Sequence, residues 1–114
     1  MAGEVLHEAR EKLTPQILDR HRAISTLMEE LEAIDWYDQR IKASENAELQ
    51  SILEHNRNEE TEHASMLLEW LRRHDEGFDS HLKTYLFSSG PIREKGDGTP
   101  KSADSSLAIG SLKG

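Results

Sequence analysis

The chain contains no cysteine. Disulfides and thiolate metal sites are thereby excluded, and zinc ribbons, rubredoxin-type iron and iron–sulfur clusters go with them. Aromatic residues are scarce at 5%, and hydrophobic residues make up 35% of the 114 positions. That is thin for a self-sufficient globule and ordinary for a helical unit whose core a partner completes. No apolar run approaches the roughly 20 residues that a membrane-spanning helix needs. The opening MAGEVLHEAR has no apolar stretch of the kind a secretory leader carries, so a cytoplasmic location is the expectation. No internal repeat and no useful β alternation occurs.

What the chain does have is negative charge, and it is unevenly placed. The net charge is −8 overall. From Ser88 onward there are four basic and three acidic residues, which leaves 10 basic and 19 acidic residues in positions 1–87, a charge of −9. Such a body repels nucleic-acid phosphates and anionic lipid and attracts cations.

The pattern predicts an all-α chain. Thr14 before Pro15 is a helix start, an N-cap followed by proline at the first helical position. Ile17, Leu18, Ile24, Leu27, Leu31, Ile34 and Ile41 then recur at helical spacing, predicting a first helix over 15–42. Asn46 caps a second helix running to about Asp75. Arg72, Arg73 and His74 suit its negative end, and Gly77 is expected to stop it. A short third helix is expected over about 79–87, with Leu82, Tyr85 and Leu86 on one face. Thereafter SSGPIREKGDGTPKSADSS reads as a flexible linker, and the last eight residues, LAIGSLKG, turn apolar again. The expected organisation is a helical domain over 1–87, a linker over 88–106 and a terminal peptide over 107–114.

Acids interrupt the apolar seams. Positions 27, 30, 34, 37 and 41 share one face of the first helix and hold Leu, Glu, Ile, Tyr and Ile; positions 49, 53, 56, 60, 63, 67 and 70 share one face of the second and hold Leu, Leu, Asn, Glu, His, Leu and Trp. Burying an unpaired carboxylate costs several kcal/mol, on the order of magnitude, and neither seam carries a lysine or arginine. A metal ion supplies the missing charge economically. Glu60-x-x-His63 sets a carboxylate and an imidazole side by side on one face, and Glu30 from the facing helix completes a half-site. Di-iron carboxylate bundles use two single glutamates and two Glu-x-x-His motifs. This chain has one of each, so a two-fold pair of chains supplies the full set, with the metal between subunits. Carboxylates suit iron in both oxidation states and bridge two ions, and imidazole is a borderline neutral donor. Two such ions about 3.5–4 Å apart can deliver two electrons to one O₂, chemistry that would oxidise nearby thiols.

Secondary features surround this set. Tyr37 is placed to hydrogen-bond the site or take part in electron transfer, with aromatic packing as the plainer reading, and Trp36 to shield it. Glu29 and Glu32 lie on a neighbouring face as a candidate staging site for iron. His55, Glu59 and Glu62 follow i, i+4, i+7 and form a candidate surface cation site. A hydrated charged face explains either group equally well. His7, His21, His74 and His81 have no comparable acidic setting.

MEELEAIDWYDQR, HNRNEETEHASMLLEWLRR and HLKTYLF resemble the signature of the encapsulated ferritins over roughly residues 14–87. The resemblance implies half of a ferritin-like four-helix bundle completed by dimerisation, and a ferroxidase whose di-iron centre forms between two chains in an open ring of five dimers. By motif position it implies Glu30, Glu60 and His63 as iron ligands, with Tyr37 and Trp36 beside them. Glu29 and Glu32 match the family's iron-entrance site, and His55, Glu59 and Glu62 its outer metal site. LAIGSLKG resembles the peptides that dock cargo inside encapsulin shells: Leu107, Ile109 and Leu112 can enter apolar pockets while Gly110 turns the backbone. The expected function is therefore oxidation of Fe²⁺ by O₂, with Fe³⁺ passed to storage inside a shell. Two alternatives remain at this stage: a di-metal protein that destroys peroxide, and a metal-free helical adaptor of the shell.

Overall fold

The computed structural model describes residues 5–95. The part of the expected linker beyond Lys95 and the whole terminal peptide 107–114 lie outside the described residues. Among the described residues the chain is all-α, with three α-helices, two short 3-10 turns and no strand. The helices are α1 (Pro15–Ala43), α2 (Ala47–His74) and α3 (Glu76–Tyr85).

Helix α1 begins where the sequence requires. The Thr14 hydroxyl accepts a hydrogen bond from the Ile17 amide at 3.1 Å, and Pro15 stands at the first helical position. The cap satisfies one of the amides that the first turn leaves unpaired, and proline costs nothing where its missing N–H would have no partner. A 3-10 turn over Arg10–Lys12 precedes it. The connection to α2 is short: Asn46 Oδ1 accepts from the Leu49 amide at 2.8 Å, capping α2. Gln50 Nε2 ties the turn by donating to the Ile41 carbonyl at 3.0 Å and the Ser44 carbonyl at 2.5 Å. A connection this short forces the two long helices to run antiparallel. The cross-helix contacts agree: Asp38 meets Arg57 near the turn, and Glu30 meets His63 further from it.

Helices α1 and α2 pack against each other as a hairpin, and the hydrophobic core they hold is small. Among the described residues only Ala23, Ala64 and Leu71 are buried, Leu71 with no exposed surface. The seam positions Leu27, Glu30, Ile34, Tyr37 and Ile41 are half-buried, as are Leu53, Asn56, Glu60, His63, Leu67 and Trp70. Large apolar side chains are left in solvent, among them Ile24, Met28, Leu31, Ile52 and Met66.

The segment from Asp75 onward clusters as a unit of its own. Its helix α3 starts three residues earlier than the sequence suggests. Asp75 accepts from the Phe78 amide at 3.0 Å through Oδ1 and acts as N-cap, so Gly77 lies inside the first turn of α3 and does not terminate α2. Glycine is weak in a helix but tolerated where the first-turn amides are unpaired anyway, and a well-placed Asx cap outweighs it. At the other end Leu86 closes α3 and Phe87 adopts a left-handed conformation with φ 60°. Gly90, at φ 84°, follows before the 3-10 turn Ile92–Glu94.

Candidate metal centre

Glu60 and His63 sit three residues apart on α2, so their side chains rise from adjacent turns of one face. Glu30 reaches the same point from α1 because the antiparallel register sets it opposite them. His63 Nδ1 stands 3.4 Å from Glu60 Oε1 and 3.8 Å from Glu30 Oε1. Among the described residues, Glu30, Glu60 and His63 are the one set of three acid or imidazole groups whose ligand atoms all lie within 4.8 Å of one another.

The electrostatics of the cluster show what it lacks. The hydrogen bond between Glu30 and Glu60 raises the Glu30 carboxyl above its ordinary value. Partial burial and the negative charges of Glu60 and Glu29 push the same way, while His63 opposes them. Two carboxylates that face each other cannot both keep their charge cheaply; one holds a proton or a cation stands between them. The donor chemistry suits a cation. Ligand atoms sharing one ion at about 2.0–2.2 Å stand about 3 Å apart, close to the spacing already present. Three ligands leave coordination positions open, since such ions take four or more donors. The His63 side chain is 44% exposed, against 20% for Glu30 and 26% for Glu60, so the open side of the cluster faces outward.

The remaining candidates are placed around this point with less convergence. Tyr37 is half-buried on the α1 seam, two turns from Glu30, and Trp36 beside it is exposed. The Arg40 guanidinium lies over both rings, 5.8 Å from the Trp36 centroid and 5.7 Å from that of Tyr37. Glu29 and Glu32 are half-buried on the neighbouring face, and Glu29 acts on Glu30 through its charge. His55 Nε2 contacts Glu59 Oε2 at 3.1 Å, both side chains more than half exposed. Glu62 is exposed and does not join them in a three-ligand group.

Sequence reading missed two polar contacts on the hairpin. One is the Asp38–Arg57 ion pair between α1 and α2; the other is the Gln50 clasp on the turn.

A two-helix hairpin that brings two carboxylates and an imidazole together on its seam has the character of a half-bundle of the ferritin kind. The EncFtn-like family model matches residues 5–89, so the chain belongs to the EncFtn-like family. It is 51% identical over 122 aligned positions to an encapsulated ferritin-like protein of Rhodospirillum rubrum, covering 95% of this chain and 87% of the relative. It is also 51% identical over 88 positions to a ferritin-like protein of Thermotoga maritima, covering 77% of each. Among solved structures, a protein of Nitrosomonas europaea superposes with a TM-score of 0.75 at 53% identity, over 78% of this chain and 98% of that one. No described helix is long and apolar enough to cross a membrane.

Proposed function

We propose that two copies of this chain pair face to face, so that two Glu30, two Glu60 and two His63 surround a shared di-iron centre. There Fe²⁺, the substrate, is oxidised by O₂. The observation that carries this reading is the convergence of Glu30, Glu60 and His63 in a chain of the EncFtn-like family. Half of a four-glutamate, two-histidine set is present, and its open side faces outward. The surface next to it favours pairing: Ile52 and Met66 lie on the His63 face of α2 and are 53% and 58% exposed. Burying them against a second copy removes apolar surface from water, at about 25 cal/mol for each Å², while the same contact completes the ligand set.

In this reading the glutamates bind and bridge the two Fe²⁺ ions and His63 caps each one. The ions give one electron each to O₂ and leave as Fe³⁺. Tyr37, two turns from Glu30 with Trp36 and Arg40 beside it, takes part in electron transfer. Glu29 and Glu32 stage incoming iron, and His55, Glu59 and Glu62 bind cations at the surface. The chain assembles as a ring of five dimers. An open ring cannot itself enclose a mineral, so the product is stored inside an encapsulin shell, to which Leu107–Gly114 tethers the chain. The name of the Rhodospirillum rubrum relative, an encapsulated ferritin-like protein, supports the shell assignment.

Anaerobic Fe²⁺ titration followed by exposure to air tests the chemistry. One Fe²⁺ bound per chain, oxidised rapidly once O₂ enters, is the expected result. Oxidation no faster than that of free Fe²⁺ in the same buffer would sink it, and oxidation faster with H₂O₂ than with O₂ would move the reading to peroxide removal. Co-expression with an encapsulin tests the tether: removal of 107–114 should abolish co-purification with the shell and leave iron oxidation intact.

A further inference from the structure

Besides the ligand cluster, the hairpin carries a charged contact between α1 and α2 in the Asp38–Arg57 pair. Arg57 Nε donates to Asp38 Oδ1, and Arg57 Nη2 reaches Asp38 Oδ2 at 3.4 Å, so the guanidinium fork addresses both carboxylate oxygens. Asp38 lies two helical turns beyond Glu30, and Arg57 lies one turn before Glu60. The Asp38 side chain remains 54% exposed and that of Arg57 39%. An ion pair of that exposure adds little to stability, so its chief consequence is geometric.

The rest of the hairpin leaves that geometry loosely set. Among the described residues the buried side chains are Ala23, Ala64 and Leu71, two of them single methyl groups, and the larger side chains of the seam are only half-buried. Small flat contacts resist the sliding and rolling of one helix on another less than interlocked large side chains do. Gln50 holds the turn and so fixes where α2 begins, but not how each helix is rotated about its own axis. Rotation matters here. A roll of about 20° carries a carboxylate standing about 6 Å from the axis through about 2 Å. The ligand atoms of the whole cluster lie within 4.8 Å of one another, so a displacement of that size separates Glu30 from its partners. A planar fork on a planar carboxylate is directional and opposes both slide and roll.

We propose that the Asp38–Arg57 pair is the register pin of the metal centre. It fixes the axial and rotational setting of α1 against α2, and through it holds Glu30 within ligating distance of Glu60 and His63. Both are positioning residues; neither touches the metal. The inference rests on the reading that Glu30, Glu60 and His63 bind a cation.

The test uses the full chain with Co²⁺ as probe, reading the binding isotherm, the visible ligand-field spectrum, helicity by circular dichroism, and Tm. Wild type and Glu30→Ala come first: if both bind Co²⁺ alike, the metal-centre reading itself fails, whatever the pin does. With that control in place, Asp38→Asn and Arg57→Lys are expected to weaken Co²⁺ binding about three- to fivefold and to alter the spectrum, with helicity kept. Arg57→Lys retains the charge and loses only the fork. Asp19→Asn removes an ion pair confined to α1, with Arg22 at 2.7 Å, and should leave binding unchanged. The exchange Asp38→Arg with Arg57→Asp should recover most of the affinity. Wild-type affinity and spectrum in both single variants, with only Tm lowered, would overturn the pin. Should Asp38→Asn fail to fold, Arg57→Lys decides by the same readings.

Discussion

Glu30 Oε1 and His63 Nδ1 stand 3.8 Å apart although they come from different helices. His63 and Glu60, at 3.4 Å, are neighbours by helical geometry alone, wherever the helix goes. Glu30 joins them only because α1 and α2 run antiparallel in one register. Two members of the ligand cluster are thus set locally and the third is tertiary, and the two parts respond differently to mutation.

Removing Glu30 should destroy metal binding without harming the metal-free fold. Glu30→Ala is expected to lower Fe²⁺ or Co²⁺ affinity by at least about tenfold, the smaller cost seen when even an outer partner of a metal ligand is lost. The metal-free hairpin should keep its Tm or gain, because Glu30 faces the like charge of Glu60 and holds a raised carboxyl in a half-buried place. Thermal denaturation with and without Co²⁺ checks both parts. A metal-linked rise of Tm in the variant equal to that of wild type would contradict the ligand assignment, since a ligand binding only the native state stabilises it by mass action.

Metal and assembly should be linked. Native mass spectrometry is expected to show even-numbered oligomers whose population rises with Fe²⁺, and an iron count near one per chain. Ile52→Glu or Met66→Glu, placing charge on exposed apolar positions of α2, should shift the population toward single chains and weaken iron binding with it. Unchanged oligomers would show that another surface makes the pairing.

Stability in the single chain should rest on few positions. Leu71, with no exposed surface, is expected to cost about 2–5 kcal/mol on truncation to alanine. Thr14→Ala, which removes the cap on the Ile17 amide, should cost about 1 kcal/mol. Chemical denaturation resolves the two, and a Leu71→Ala loss below that of Thr14→Ala would mean that the buried leucine contributes little.

Acid sensitivity can be read at one surface carboxylate. Glu69 accepts from Arg72 at 2.8 Å and Arg73 at 2.7 Å, and those hydrogen bonds, more than the bare charges, hold its carboxyl down at about 2 from an ordinary 4.5. Its contribution is fully present above the unfolded value of about 4.5, and is lost as pH falls through the folded value. The energy is small because the side chain is 43% exposed to screening solvent. A carbon-detected NMR titration should place the Glu69 midpoint near the lower value, and Glu69→Gln should flatten the acid limb of the Tm profile. A midpoint near the ordinary value would show that the arginines do not hold it in solution.

Much of the fold was legible because its signals are local. Thr14-Pro15 and Asn46 mark helix starts whatever the tertiary structure is, and the expected first helix over 15–42 falls within one residue of Pro15–Ala43. The third helix was misjudged because two local signals compete at 75–77. Glycine suggested a stop, but Asp75 closes on the Phe78 amide and starts a helix through it. The Glu-x-x-His pair was legible for the same reason as the helix starts. The Asp38–Arg57 pair was not, since helical periodicity says nothing about which charges meet across a turn.

By itself the sequence determined three helices, a cysteine-free acidic surface, and a carboxylate and imidazole fixed side by side on one helical face. These depend on bonds and spacings within a few residues. Glu30 was expected from its place on the α1 seam, but only the tertiary structure brings it within reach of that pair, and only the tertiary structure decided that Asp38 meets Arg57 across the hairpin and which apolar side chains stay in water. Those follow from the register of two helices against each other, a property of the pair that neither helix carries alone.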